Sequence, residues 1–313
     1  MAKITNAFDT YSATSDREQL SNVIYNISPQ TTPFMSAIGK NSIKNVVFDW
    51  QTESLPTPVG TGNLEGFELS RSASTATVRN SNVAMISKRD ATVTGSQQAS
   101  DPAGKKSEMA HQLAIMSKAL KRDMETALCQ KGGKTTGNAT TARLTGGFES
   151  WVKSNVNNAA GSTPTGGGTA PTDGTQRALT EALLKSNLKS CFDQGGNPDL
   201  LLVGSFNKQK VSGFTGNSTR MDMAEDRSLV ATIDVYVSDF GEVRVVADRI
   251  LRSSGRTALV VDTEMWAAAF LRPFQVQDLA KTGDAEKKQL LVEYTLVAKN
   301  EAANGKIADL TTS

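Results

Sequence analysis

Six apolar residues set the strongest constraint on this chain. Met109, Leu113, Met116, Leu120, Met124 and Leu128 recur at spacings of 4, 3, 4, 4 and 4. That rhythm is one apolar stripe on an α-helix, and it predicts a helix from about Pro102 to Lys131. Asp101 suits the N-cap and Pro102 the first helical position, while Gly132-Gly133 marks the stop. At 1.5 Å per residue such a helix spans roughly 40 Å. The charged residues Lys105, Lys106, Lys118, Lys121, Arg122 and Glu125 mostly avoid the stripe.

The segments before this helix have little to bury. Residues 1–45 are polar and irregular, broken by Pro29 and Pro33, with a short helical turn expected from Asp16 to Leu20. Val46–Gln51 reads as a strand. Pro56, Pro58, Gly60, Gly62 and Gly66 follow, and strand-like composition returns at Thr75–Asn80 and Ser81–Thr94. Residues 46–95 therefore read as a β excursion that leaves the body and comes back.

After the helix, residues 157–174 read as a flexible connector containing Gly166-Gly167-Gly168. A second helix is expected from about Thr175 to Asp193, with Leu179, Leu183, Leu184, Leu188 and Phe192 on one side. Leu200–Val203 reads as a buried strand, Ser205–Phe214 as a short helix, and Ile233–Val237 with Val243–Val246 as a hairpin. Further strands are expected at Ala258–Val261, Met265–Leu271 and Gln289–Ala298. The sum is an α+β fold.

Composition removes several classes of function. No apolar run reaches the roughly 20 residues a membrane span needs. Lysine and arginine number 34 against 32 acids, a net charge of +2, unlike a dedicated nucleic-acid binder. Cys129 and Cys191 make no disulfide framework and read as reduced, buried thiols. The single histidine, His111, lies in the long helical pattern, so a Ser-His-Asp or Cys-His arrangement would have to use a helix-surface residue. Gly132-Gly133-Lys134-Thr135 lacks the first glycine of a phosphate-binding loop, since that place holds Leu128. Asp222, Glu225 and Asp226, like Asp284, Glu286, Lys287 and Lys288, read as solvated faces. The expected catalytic, cofactor-binding and metal residues are none, and the chain reads as a structural protein, not an enzyme. Its arm and its long loop are incomplete alone and find burial only on a partner.

An ordered set of segments resembles a family of tailed-phage major capsid proteins. The segments are Arg17–Pro29, Thr32–Met35, Trp50–Leu55, Leu120–Glu125, Gly204–Gln209, Asp234–Gly241, Leu271–Phe274 and Leu279–Glu286. The resemblance covers nearly the whole chain. It implies the Hong Kong 97-type capsid fold. Residues 1–45 would be the N-terminal arm and 46–95 the extended loop. Residues 96–174 would be the peripheral domain with its spine helix, 175–246 the axial domain, and 247–313 a return to the peripheral domain. The implied function is self-assembly, as hexamers and pentamers, into an icosahedral head shell around double-stranded DNA. An encapsulin-like nanocompartment shell is the alternative within the class. A hydrolase using His111 and a tail-tube or adhesin protein are the alternatives outside it. The implied partners are other copies, a portal, separate scaffold and decoration proteins, and DNA held without specificity; no membrane is implied. The implied location is the virion, after assembly in the host cytoplasm. Some relatives cross-link a loop lysine to a neighbour's asparagine. Residues 45–87 contain no lysine, so no such bond is expected. A scaffold segment fused ahead of the arm is not expected either.

Overall fold

The computed structural model of the chain describes residues 31–55, 58, 60–68, 76–100, 105, 107–214, 234–281 and 283–313. The turn expected at Asp16–Leu20 and the cap at Asp101 and Pro102 lie outside these residues.

The stripe does form a helix, α3, over Glu108–Cys129. It begins later than the pattern suggested, because the Ser107 side chain supplies the cap by accepting from the Ala110 amide at 3.4 Å. Met109, Leu120, Met124 and Leu128 are buried, and Leu113 and Met116 pack on them at half-depth. Glu125, expected among the solvent-facing charges, is fully buried. The reason is a helix that the sequence reading left irregular: α1, Pro33–Ala37, lies across α3 at that position.

Two sheets form the body. The first takes β1 (Gly39–Ser42), β10 (Trp266–Asp278), β11 (Ala285–Ala298) and β4 (Met85–Thr94), in that order. β1 is parallel to β10 and the other pairs are antiparallel. The second sheet runs β5 (Asn155–Asn157), β12 (Gly305–Ile307), β9 (Ala258–Val261), β6 (Leu200–Val203), β8 (Gly241–Ala247) and β7 (Val235–Ser238). β6 is buried on both faces, as its unbroken apolar run requires. Leu200 and Leu202 point into a core shared with α3, Phe34, Phe148 and Trp266. Leu201 and Val203 point the other way, into a core closed by Leu184 and Leu188 of α5 (Glu181–Asp193) and Val211 of α6 (Ser205–Ser212).

α5 starts at Glu181, not near Thr175, because the preceding residues pair with the C-terminal segment. The Arg177 amide donates to Asp309 O at 2.7 Å, and the Thr311 amide to Arg177 O at 2.9 Å. Phe192 stands at the rim and stacks on Phe240 at 4.9 Å between centroids. β10 and β11 outrun the expected strands at one end. There Phe274–Asp278 and Ala285–Lys288 continue the ribbon past a break in register around Pro273, where a residue without an amide proton is tolerated. Residues 157–174 are tied down, not a free connector: Thr163 and Thr172 form a bridge, and the Gly168 amide donates to Ser150 O at 3.2 Å.

Candidate assembly surfaces

A separate two-stranded ribbon leaves this body. It consists of β2 (Val47–Thr52) and β3 (Val78–Val83), paired from Val47–Val83 to Thr52–Val78. Its root is rigid. Asn82 is fully buried there and uses every hydrogen-bonding position of its amide. Nδ2 donates to Leu296 O at 2.7 Å and Gly146 O at 3.2 Å; Oδ1 accepts from the Gly146 and Val83 amides, both at 2.9 Å. One side chain thus joins the ribbon, the turn before α4 (Phe148–Trp151) and β11. Lys134 adds a second tie, with Nζ donating to Ser81 O at 2.8 Å and lying 5.6 Å from the Trp151 ring centroid. Trp50 packs on Trp151 at 5.1 Å.

The described residues of the loop that joins the two strands are bare. Leu55 is 94% exposed, Leu64 86% and Phe67 58%, and Val47 and Val78 are exposed as well. Apolar side chains at these exposures gain little from the other described residues. Phe274, Val276 and Leu279 make a second exposed apolar set at the end of the β10–β11 ribbon.

The body beneath these surfaces is tied together by buried charge. Glu125 accepts from the Phe34 amide at 2.7 Å and the Met35 amide at 2.8 Å, satisfying orphan donors at the start of α1. Burial pushes its carboxyl up to about 7, against the pull of the two amides. Glu149 of α4 accepts from Arg252 Nη2 at 3.1 Å and Thr257 Oγ1 at 3.0 Å. Arg252 also reaches Asp173, which takes Lys131 Nζ at 2.7 Å. Burial raises the Asp173 carboxyl, but Lys131 and Arg252 outweigh it and hold the group below the usual range. Lys306 of β12 is buried and donates to Glu149 O; burial pushes its ammonium down to about 8. None of Asn82, Asp173, Glu149 and Lys306 was singled out in the sequence. They carry no spacing pattern, because their partners lie far away along the chain.

The residues weighed for chemistry are dispersed. His111 is half-buried on α3, and no hydrogen bond joins its ring to a serine or cysteine among the described residues. Lys134 of the Gly-Gly-Lys-Thr run is spent on Ser81 and Trp151, and Thr135 pairs with Leu144, so no phosphate cradle forms. Gly167 and Gly168, with φ of 66° and 82°, make a turn. Lys281–Glu286 and Lys288–Asp278 are surface ion pairs. Cys129 and Cys191 are free and buried, and burial pushes the Cys191 thiol up to about 12. Asp222, Glu225 and Asp226 lie outside the described residues. Lys44 and Lys88, which flank the ribbon, are exposed at its base.

The model of the SU10 major capsid protein family matches residues 3–311. The major capsid protein of Escherichia phage Phieco32 is 23% identical over 337 residues, covering 95% of each chain. The capsid asymmetric unit of cyanophage A-1(L) superposes with a TM-score of 0.68 at 14% identity, covering 99% of this chain and 100% of that one. The holo-SrpI encapsulin of Synechococcus elongatus PCC 7942 superposes with a TM-score of 0.59 at 9% identity, covering 98% and 97%. The fold is therefore shared between phage heads and an encapsulin, and it is the family match that separates them. Family and fold agree with the ribbon, the long helix and the two sheets: this chain belongs to the SU10 major capsid protein family, a family of structural shell proteins and not of enzymes, and it is a tailed-phage major capsid protein with the Hong Kong 97-type fold.

Proposed function

We propose that copies of this chain join head to tail into hexamers and pentamers and close an icosahedral shell around double-stranded DNA. The β2–β3 ribbon is the main crossing element. The single observation that carries this is the contrast within the ribbon: a root fixed by four amide hydrogen bonds, and an outer part with Leu55, Leu64 and Phe67 bare. A rigid root with an apolar end suits a lever held out for a neighbour. Ring contacts of this sort are heterologous and close by rotation. A standard interface buries about 1,600 Å² in total, and several per subunit add up by multiplicity.

On this reading residues 1–45 are the arm, α3 is the spine of a peripheral domain built on the four-stranded sheet, and the axial domain is the six-stranded sheet, which extends the expected span 175–246 by drawing β5, β9 and β12 from outside it. The near-neutral chain, with 34 basic and 32 acidic residues, touches packaged DNA without gripping it. Portal, scaffold and decoration proteins act as separate partners, and assembly takes place in the host cytoplasm. The chain performs no catalysis, and His111→Ala leaves assembly unchanged. With no lysine between residues 45 and 87, the shell is held without covalent cross-links. Boiled, reduced shells should run as single chains on a denaturing gel, and a ladder of multimers would refute that point.

Negative-stain microscopy of the expressed chain, alone and with a co-expressed scaffold candidate, tests the whole reading. Closed shells are expected. Replacing residues 53–77 by a short turn should leave a folded chain that forms none. Shells formed by that variant would remove the ribbon from the proposal, and tubes from the intact chain would overturn the shell reading.

A further inference from the structure

Glu125, Cys129 and Asp248 meet in the interior with no opposing charge. Glu125 and Cys129 are four apart on α3 and so share a face. Asp248 directly follows β8. One ligand atom from each lies within 4.8 Å of the other two, and all three residues are buried. A point therefore exists no more than about 2.8 Å from all three atoms, and a contraction of several tenths of an ångström reaches zinc's bond lengths of about 2.0 Å to oxygen and 2.3 Å to sulfur. Asp248 is only 2% exposed, and its Oδ2 has no hydrogen-bond partner, while Oδ1 accepts from the Ile250 amide at 2.9 Å. A buried carboxylate oxygen left bare costs free energy that the fold must recover elsewhere. Among the described residues no lysine or arginine relieves the cluster: burial, backbone amides and neighbouring acids are what act on these three groups.

We propose that Glu125, Cys129 and Asp248 bind a thiophilic divalent cation, zinc, as a structural site at the foot of the arm. This replaces the expectation of no metal residues drawn from sequence. Soft thiolate and hard carboxylates together suit zinc better than calcium or magnesium, which take oxygen ligands alone. The Phe34 and Met35 amides hold the Glu125 carboxylate from behind, as outer-shell donors orient a ligand. The ion joins the spine helix α3 to the end of β8 and, through Glu125, to α1 within the arm. It gives the bare Asp248 Oδ2 a partner, and it keeps α1 fixed against the spine helix during assembly. A backbone carbonyl or a water completes four-coordination.

The test uses the full chain, purified as shells or as soluble subunits, with metal content measured by elemental mass spectrometry after dialysis. One zinc per chain is expected. Replacing zinc by cobalt(II) should give the near-ultraviolet absorption of a thiolate–cobalt bond, and this band should vanish in Cys129→Ala. Asp248→Asn, close in size, should bind zinc at least about 10-fold more weakly. Strong chelation should lower the thermal midpoint of the native chain and leave that of Cys129→Ala unmoved. A folded native chain that holds no zinc, takes up no cobalt and ignores chelators overturns the proposal. Should Cys129→Ala fail to fold, the zinc and cobalt measurements on the native chain decide alone.

Discussion

Asn82→Ala tests the claim that the ribbon is a lever with a fixed root. The substitution removes four hydrogen bonds at once, between 2.7 and 3.2 Å long, to Val83, Gly146 and Leu296. Each is worth about 1 kcal/mol net, and the groups left behind are buried, so the expected loss is about 4 kcal/mol. Water entering the vacated space would recover part of it, to a loss of about 2 kcal/mol at the least. With a urea m-value near 3 kcal/mol/M, the midpoint should fall by about 1 M. Asn80→Ala serves as the control. It lies two residues outward on β3 and loses one half-buried bond to Thr52 Oγ1 at 3.2 Å, for an expected cost below about 1 kcal/mol. Asn82→Asp keeps the shape but turns a carboxylate toward two carbonyls, so it should cost at least as much as alanine. Urea unfolding of unassembled subunits gives all three values, and electron microscopy then scores shells. An Asn82→Ala chain as stable as Asn80→Ala, or a harmless Asn82→Asp, would show that packing and not this amide fixes the root.

Three further outcomes follow from other parts of the molecule. Leu64→Asp together with Phe67→Asp should leave subunit stability within about 0.5 kcal/mol, since both side chains are exposed, yet abolish or sharply reduce shell formation scored by sedimentation; shells at native yield would contradict a contact there. Phe34→Ala should cost about 3–5 kcal/mol in urea unfolding, because Phe34 is fully buried and meets Phe148 at 5.8 Å and Trp266 at 6.3 Å; a loss under about 1 kcal/mol would mean that α1 is not part of the core. Lys306 gives a pH dependence with a definite sign. Its ammonium is pushed down to about 8 in the folded chain from 10.5, so the folded state releases this proton first, and stability from this group rises with pH between those values. The gain from pH 7 to 9 is about 1 kcal/mol, and above 9 the buried thiol of Cys191, held protonated by burial, opposes it. Lys306→Met should lose this slope in paired urea titrations at pH 7 and 9, and equal slopes would refute the assignment.

The parts of this fold that are visible in the sequence are those whose stabilisation repeats along the chain. The stripe from Met109 to Leu128 shows α3 because helical spacing puts all six residues on one core. Leu200–Val203 shows a strand buried on both faces because four apolar residues in a row leave no side for water. The ribbon was visible in reverse, as a stretch too poor in apolar residues to bury itself. Its root was not visible. Asn82 looks like any polar residue of a strand, and only the approach of Gly146 and Leu296, 64 and 214 positions away, makes it a junction. Glu125 misled for the same reason, since its helix position suits solvent until α1 is laid over it.

Repeating apolar patterns specify elements, but they tolerate sliding and small rotations, as hydrophobic contact is non-directional. A capsid subunit needs more than a stable body, because an error in the angle of a projecting ribbon is multiplied around a ring and prevents closure. Directional bonds are what fix angles, and here they collect where the projecting pieces leave the body: Asn82 under the ribbon and Glu125 under the arm's helix. Their buried polar atoms contribute less to stability than apolar residues of equal size would, and are better understood as setting direction. Conservative apolar exchanges inside the core should then be tolerated in assembly as far as they are tolerated in folding. Changes at Asn82 and Glu125 should damage shells more than their cost in stability alone would predict.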